Sequence, residues 1–414
     1  MKGKKRNKKL NLAIFYNVPI FYDERIGYSG DYINEIDFFL SISKNISKLS
    51  LFLPVGFHRQ GSVKFIVPSN VDIVALPYYG DEAELLKNVY RVVSKLISLS
   101  FSQYIKDCDI VGIVGPGTMS FVVSPIVYFF QRKPIIYFIR GDKQKTISYE
   151  FKQGSFKKFI EVSVLFYDFS LQWFLKRRNT LAFTFGKDLQ HKYRNLVSTE
   201  NIFNLTPMIS ENIIYKSQEI PEVKNVLYVG RLSKAKGLYD LLTAFAKIIK
   251  SSKRNLVLHI AGSGREETNL RQEAENLGIS HLTRFHGFIP NGDKLWSLYS
   301  QCQLFILPSY TEGTPRVLFE AMARGVAVIT TNVGGIPYIV KDEINGLVIE
   351  PGNIKALADA MLKLIDDKEL RKRVIEEGRK NAFEVTFEKQ GKRMIEIIEN
   401  NLLMQEEISH KDWG

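Results

Sequence analysis

Glu312 and Glu320 stand in the run Leu307-Pro308-Ser309-Tyr310-Thr311-Glu312-Gly313-Thr314-Pro315-Arg316-Val317-Leu318-Phe319-Glu320-Ala321-Met322-Ala323 with seven residues between them. Two carboxylates so spaced, one in a loop and one in the helix that follows, can both accept hydrogen bonds from the hydroxyls of a polyol. The surrounding residues predict that placement. Leu304 to Leu307 reads as a buried parallel strand, Pro308 to Thr314 as a loop, and Pro315 as the first turn of a helix, where its missing N–H costs nothing. Strand, loop and helix N-terminus put Glu312 and several backbone N–H groups at the carboxyl edge of a parallel sheet. Open α/β folds bind their ligands at that edge.

Arg231 and Lys236 form the second candidate group. They follow a strand ending at Gly230, and Gly237 leads into a helix. A guanidinium binds phosphate oxygens as a fork and an ammonium as a point charge. A nearby helix N-terminus favours the same anion. The other reading of this segment is a solvated basic loop. In Ile260-Ala261-Gly262-Ser263-Gly264 a strand runs into glycines before a helix over Arg265 to Leu277. A nucleotide turn and close backbone packing at a helix start account for those glycines equally well. Thr331 to Pro337, with Gly334 and Gly335, is a third turn of the same kind. If the sheet is parallel, all three end on one edge. None of the six histidines is placed as a catalytic base: His259 and His286 read as strand residues, and His58, His191, His281 and His410 as loop or surface ones. No cluster of aspartates suggests a bound divalent ion, so independence of metal is expected.

The elements that must carry these groups are short apolar runs alternating with helical stretches. In the first half the strands are predicted at Leu10 to Tyr16, Leu49 to Val55, Val71 to Leu76, Ile110 to Val114, Pro134 to Ile139, Leu181 to Phe185 and Ile202 to Leu205. In the second half they are predicted at Asn225 to Val229, Leu256 to Ala261, Thr283 to Phe288, Leu304 to Leu307, Ala327 to Thr330 and Leu347 to Ile349. Runs rich in Val, Ile and Leu without strict alternation suit parallel strands buried on both faces. The alternation with helices implies doubly wound sheets. At 414 residues two domains are expected. Met208 to Val223, with Pro221 and mixed charge, reads as the linker. The organisation predicted is a first domain over 1–208, completed by 386–414, and a second over 209–385.

Composition narrows the function classes. Apolar content of 45% and charged content of 24% exclude wholesale disorder. The net charge of +13 implies attraction to an anion: phosphate, nucleic acid or an acidic lipid surface. Two cysteines, Cys108 and Cys302, make neither a disulfide framework nor a metal cluster and fit a reducing compartment. The basic start, Met1 to Lys9, resembles that of a signal peptide, but Leu10 to Tyr22 is interrupted by Asn17 and Pro19 and lacks a small-residue cleavage site, so secretion is not expected. Ile110 to Gln131 carries no charge and is long enough to span a bilayer. Gly115-Pro116-Gly117 and Pro125 divide it instead into a strand, a turn and a helix.

Arg231 with Lys236, Gly262-x-Gly264, Phe285-His286-Gly287-Phe288, the Glu312 to Glu320 block and Gly334-Gly335 occur in this order and spacing in retaining glycosyltransferases of family 4. Asn225 to Pro351 resembles that family specifically; before Met208 the likeness is architectural. The resemblance implies the α/β GT-B fold, two facing Rossmann-like domains of parallel sheets flanked by helices, with the last helix, Phe387 to Met404, crossing back to the N-terminal domain. It implies transfer of a hexose-type sugar from a nucleoside diphosphate sugar to an acceptor hydroxyl with retention of configuration, in bacterial surface polysaccharide or glycolipid assembly. No cofactor beyond the donor is implied. In that family paired basic residues hold the donor diphosphate, a role that passes to Arg231 and Lys236. The second glutamate, here Glu320, binds the ribose. The first, here Glu312, contacts the donor sugar with the loop amides of Gly313, Thr314, Pro315 and Arg316. Val317, Gly262, Gly264 and Gly287 join this donor-binding set. Thr314 stands where the family often has an aromatic, and Tyr338 where a glutamate is common after the paired glycines. Both departures bear on donor-sugar identity more than on the activity.

In the first half, Arg140 and Asp142 occupy the place where many relatives carry a histidine facing the donor sugar. They read either as acceptor-side residues or as a turn and an ion pair. Gly30, in Gly27-Tyr28-Ser29-Gly30-Asp31, reads either as part of a glycine-rich loop approaching the acceptor or as a simple strand-to-helix turn. Gly115-Pro116-Gly117-Thr118 ends another strand there. Leu85 to Lys106 and Phe156 to Arg178 each show an apolar face edged by cations, which suits an anionic membrane surface as well as a core helix. A lipid-linked saccharide acceptor and a peripheral position at the inner face of the cell membrane follow from the resemblance. Two rivals stand beside this reading: a sugar-nucleotide epimerase of the same fold, and a basic nucleic-acid-binding protein. The latter lacks the clustered arginines or stacking aromatic strands it would need.

Overall fold

A computed structural model of the chain describes residues 9–30, 34–57, 63–79, 84, 89–100, 103–115, 118–131, 133–140, 169, 171–176, 180–185, 187–194, 202–205, 221–252 and 254–411. The chain divides into two compact units, Met1–Pro207 with Gln390–Gly414 and Met208–Lys389.

In the first unit the strands are β1 (Asn11–Phe15), β2 (Ile20–Asp23), β3 (Gly27–Gly30), β4 (Lys48–Phe57), β5 (Val63–Lys64), β6 (Val71–Leu76), β7 (Ile110–Gly115), β8 (Ile135–Ile139), β9 (Thr180–Phe185) and β10 (Ile202–Leu205). Its described helices are α1 (Asn34–Ile42), α2 (Val89–Ser100), α3 (Gln103–Lys106), α4 (Thr118–Ile126) and α5 (Lys187–Arg194). The strands β10-β9-β8-β7-β1-β4 lie side by side, β6 also pairs with β4, and all these pairs are parallel. β1, β4, β7, β8 and β9 form where apolar side chains are buried on both faces, as at Ile113, Val114, Ile135 and Phe138.

Three strands were not predicted. β2 and β3 form an antiparallel hairpin that joins the carboxyl half of β4, and β5 pairs with β3. The Asp23 carboxylate accepts from the Arg25 N–H at 2.8 Å and Gly27 takes φ +77°, so the turn between them is tight. The loop expected at Gly27 to Asp31 is therefore corrected: Gly27–Gly30 is a strand, and Gly30 is a buried residue in register with Val63. Asp31 lies outside the described residues. The long uncharged run resolves into β7, α4 and a π-helical turn at Val127–Gln131; Pro116 and Gly117 lie outside the described residues. Among the described residues no helix is long and apolar enough to cross a membrane.

The second unit holds β11 (Asn225–Val229), β12 (Val257–Ala261), β13 (Thr283–Gly287), β14 (Leu304–Leu307), β15 (Ala327–Thr331) and β16 (Leu347–Ile349). Its helices are α6 (Leu238–Ser252), α7 (Glu267–Asn276), α8 (Asp293–Gln301), α9 (Arg316–Ala323), α10 (Ile354–Asp366) and α11 (Lys368–Glu384). The sheet runs β13-β12-β11-β14-β15-β16 and every pair is parallel. This is the doubly wound order 3-2-1-4-5-6, so strand order reverses between β11 and β14 and a crevice opens outside their carboxyl ends. Arg231 and Lys236 follow one of those two strands, and Glu312 follows the other. Of the linker expected at Met208 to Val223, the part up to Ile220 lies outside the described residues.

The last helix, α12 (Phe387–Lys411), belongs to the first unit from Gln390 onward. Gly391 explains how it docks. A Cβ there would come within 2.6 Å of the Ile42 side chain at the end of α1, so only glycine lets the helix backbone approach so closely.

Candidate active site

The loops at the carboxyl edge of the second sheet are fastened to one another by backbone contacts, and glycine is what permits them. Gly262 has φ +143°, and a Cβ on it would lie 1.8 Å from the Gly230 carbonyl oxygen; one on Gly264 would lie 2.1 Å from that of Leu232. The Leu232 N–H donates to the Ser263 carbonyl at 3.0 Å. Gly262 and Gly264 thus brace the loop that carries Arg231, the close-packing alternative of the two readings. Gly287 ends β13 with φ +66° and accepts from the Gly262 N–H at 2.8 Å. Across the crevice, a Cβ on Gly334 (φ +52°) would meet the Glu312 carbonyl oxygen at 1.8 Å, and the Gly335 N–H donates to the Gly313 carbonyl at 2.9 Å. The turn after β15 therefore sets the height of the Glu312 loop. Gly334→Ala is expected to cost about 2–3 kcal/mol in urea unfolding, since it combines the left-handed conformation with a backbone clash. Gly278 has φ +73°, but a methyl group added to it would meet nothing within 4 Å. Gly278→Ala should cost only about 1–2 kcal/mol, and equal losses at the two positions would refute the clash.

Lys236 and Glu312 meet across the switch point. Lys236 Nζ lies 2.6 Å from Glu312 Oε1, with the side chains 24% and 10% exposed. The Ser309 hydroxyl donates to the same oxygen at 2.8 Å. Lys236 closes the 3-10 turn Lys234–Lys236, and the Tyr310 N–H, beyond β14, donates to the Ala235 carbonyl at 2.9 Å. Arg231 is exposed, and its carbonyl accepts from the buried Tyr228 hydroxyl at 3.0 Å. Burial, with the Glu312 charge adding to it, raises the Tyr228 phenol well above its ordinary value, so it remains a donor.

Glu320 sits deeper. Helix α9 begins at Arg316, one residue after the predicted start, and Pro315 is its extended N-cap. Residues Leu318 to Ala323 are all buried, Glu320 among them. Arg316 Nε lies 2.7 Å from Glu320 Oε1, and the Tyr299 hydroxyl donates to Oε2 at 3.1 Å. Burial pushes the Glu320 carboxyl above the ordinary carboxylate value, against the opposing pull of Arg316 and the Tyr299 hydrogen bond. Tyr299, fully buried, is raised in turn by burial and by Glu320. Sequence reasoning missed Ser309, Tyr228 and Tyr299, whose contacts join distant positions. Beside Glu312, Gly313 is exposed, Thr314 half-buried and Pro315 buried; Val317 packs on the core.

In the first unit, Arg140 follows β8. Its N–H donates to the Gly115 carbonyl at 2.8 Å, and its guanidinium donates to the Tyr16 hydroxyl and lies 4.9 Å from the Phe185 ring centre. Tyr16, Gly115 and Phe185 all stand at carboxyl ends of parallel strands, so Arg140 is held at that edge. Asp142 lies outside the described residues. Both cysteines are buried, which pushes the thiols up to about 11 for Cys108 and about 12 for Cys302 and leaves them protonated. Among the described residues no group of three or more His, Cys, Asp or Glu is placed to hold a metal ion.

Residues 210–381 match the family model of glycosyl transferases group 1. That span is a group 1 glycosyltransferase domain. Among curated proteins, the chain is 35% identical over 161 residues to an uncharacterized glycosyltransferase of Methanocaldococcus jannaschii, covering 39% of this chain and 40% of that one. It is 28% identical over 351 residues to the capsular polysaccharide biosynthesis glycosyltransferase CapM of Staphylococcus aureus, covering 78% and 88%. The chain spans only 40% to 50% of the length of the first curated relatives it matches. Among solved structures, Anabaena HepE in complex with UDP superposes with a TM-score of 0.65 at 17% identity, covering 94% of this chain and 100% of that one. This likeness gives the group 1 domain and its companion unit the GT-B fold. The group 1 match contains Arg231, Lys236, Glu312 and Glu320.

Proposed function

We propose that the protein is a retaining glycosyltransferase that moves a hexose-type sugar from a nucleoside diphosphate sugar to an acceptor hydroxyl. The observation that carries this is the pairing of Lys236 with Glu312 across the switch point of a group 1 domain, with Glu320 buried at the base of the same loop. Lys236 and Arg231 are the cations for the diphosphate; Glu312 orients the sugar and Glu320 the ribose. CapM and the lipopolysaccharide core glycosyltransferase LpsE among its relatives support a place in surface polysaccharide assembly. UDP and UDP-glucose complexes of HepE support a nucleotide-sugar donor.

In the transfer, the bond from the sugar's anomeric carbon to the diphosphate oxygen breaks. The bond to the acceptor oxygen forms on the same face, and the acceptor proton passes to a departing phosphate oxygen. Negative charge grows on the diphosphate as the sugar takes on oxocarbenium character. Fixed cations and helix N-terminal N–H groups stabilise that charge without reorganising. No carboxylate nucleophile of the glycosidase kind enters.

Peripheral attachment to an anionic membrane is part of the same reading. Phe129, Phe169 and Trp173 are exposed in the first unit, with the Phe129 and Trp173 ring centres 6.3 Å apart. In α2, Val92 and Leu96 are buried while Tyr90 and Ile97 are exposed. Most of Phe156 to Arg178 lies outside the described residues. Exposed aromatic side chains suit a headgroup boundary, which favours a lipid-linked acceptor.

A thermal-shift panel of nucleoside diphosphate sugars tests the donor, because a ligand that binds only the native state raises the midpoint. Anomeric analysis of the product tests retention. One nucleotide sugar should stabilise the protein, and its α- or β-configuration should survive transfer. Binding by none, or an inverted product, sinks the respective claim. EDTA is expected to leave the rate unchanged. Inhibition reversed by Mg²⁺ would refute metal independence.

A further inference from the structure

His259 and His286 lie outside the proposed donor site, yet their geometry is specific. His259 is the middle residue of β12, and His286 belongs to the neighbouring edge strand β13. The parallel register pairs Ile260 with Phe285 and Ala261 with Gly287, so His286 is the extra residue of a bulge. Bulges re-aim side chains. Here the result is His259 Nδ1 3.0 Å from His286 Nε2, with ring planes 15° apart.

The partners fix the tautomers. Asn225 Nδ2 donates to the Gln301 carbonyl at 3.0 Å, which leaves Asn225 Oδ1 as the acceptor 3.1 Å from His259 Nε2. His259 therefore carries its proton on Nε2 and aims the Nδ1 lone pair at His286. His286 donates its Nε2 hydrogen; in its other tautomer both facing nitrogens are lone pairs. Two imidazole nitrogens bound to one ion at ~2.1 Å, ~90° apart, lie ~3.0 Å from each other. Rotation of both rings, so that their lone pairs leave the Nδ1···Nε2 line and converge on one point beside it, turns the hydrogen bond into a chelate.

A further feature favours an ion: metal-ligating histidines commonly give their other N–H to an oxygen acceptor that fixes the ring, and Asn225 already does this for His259. An all-imidazole pair selects borderline d-block ions over Mg²⁺ or Ca²⁺, and water would complete the shell.

We propose that His259 and His286 form a two-histidine chelate for a divalent transition-metal ion of the zinc, nickel or copper class, which clamps edge strand β13 to β12 when bound. The test is calorimetric titration of the EDTA-stripped, desalted full chain with NiCl₂ and ZnCl₂, alongside thermal unfolding. One ion per chain and a raised midpoint are expected. His286→Ala and His259→Gln should abolish both, and Asn225→Ala should weaken binding by about 10-fold through loss of the orienting bond. His191→Ala, on the surface of α5, should change nothing. Absence of uptake, or uptake that survives both histidine substitutions, overturns the proposal.

Discussion

Lys236→Ala is expected to lower kcat/KM by about 100- to 1,000-fold, the range seen when one preorganised group at a developing anion is removed. The ammonium has a structural partner as well, since it lies 2.6 Å from Glu312 Oε1. Removing it leaves a carboxylate that is only 10% exposed with the Ser309 hydroxyl on the same oxygen. A stability loss of about 1–2 kcal/mol should accompany the kinetic one, between the values for exposed and buried pairs. The two effects separate in the double variant. Lys236→Ala with Glu312→Ala removes both charges, so stability should recover part of the loss while activity falls further. If kcat/KM recovers along with stability, Lys236 serves only to hold the loop. A single-variant loss below about 3-fold would remove it from the diphosphate site altogether.

Much of this arrangement was legible in the sequence because it is local. Asn225–Val229, Leu304–Leu307 and Leu347–Ile349 are strands at their predicted bounds, since a run of buried Val, Ile and Leu between turn residues leaves little choice of register or length. Parallel pairing then delivers Arg231, Lys236 and Glu312 to one edge. What escaped depended on pairing between distant segments. The hairpin of β2 and β3 is short and half-polar, and it exists because the end of β4 offers it an edge. Gly262 and Gly264 resemble a nucleotide turn, but what requires glycine there is the backbone of Gly230 and Leu232. The depth of Glu320 did have a sequence signal: it is the sole charged residue in Val317 to Ala323, so its helix face cannot stay apolar without burying it. Tyr299, on α8, had none, because only the packing of α8 beside α9 brings its hydroxyl to that carboxylate.

Glu320→Gln should raise the donor KM by roughly 10- to 100-fold while kcat changes much less. A hydrogen bond to a charged acceptor contributes about 1.5–3 kcal/mol, and a ribose contact remote from the breaking bond is shared by ground and transition states. The glutamine keeps an acceptor for Tyr299 and loses the charge that pairs with Arg316. Stability should move the other way with pH. Because burial raises the Glu320 carboxyl above the ordinary carboxylate value, the native state holds a proton that the unfolded chain has already lost. Its contribution is therefore fully present below the unfolded value and is lost as pH rises through the folded one. The glutamine variant has no such titration, so it should gain on the wild type as pH rises above the ordinary carboxylate range in urea unfolding. A stability difference that stays flat over that rise would mean Glu320 titrates normally. The ribose assignment has a separate test. Wild type should bind the 2′-deoxy form of its nucleoside diphosphate more weakly than the ribose form, and Glu320→Gln should bind the two alike. A variant that still discriminates would place the ribose elsewhere and leave Glu320 as a buried partner of Arg316 and Tyr299.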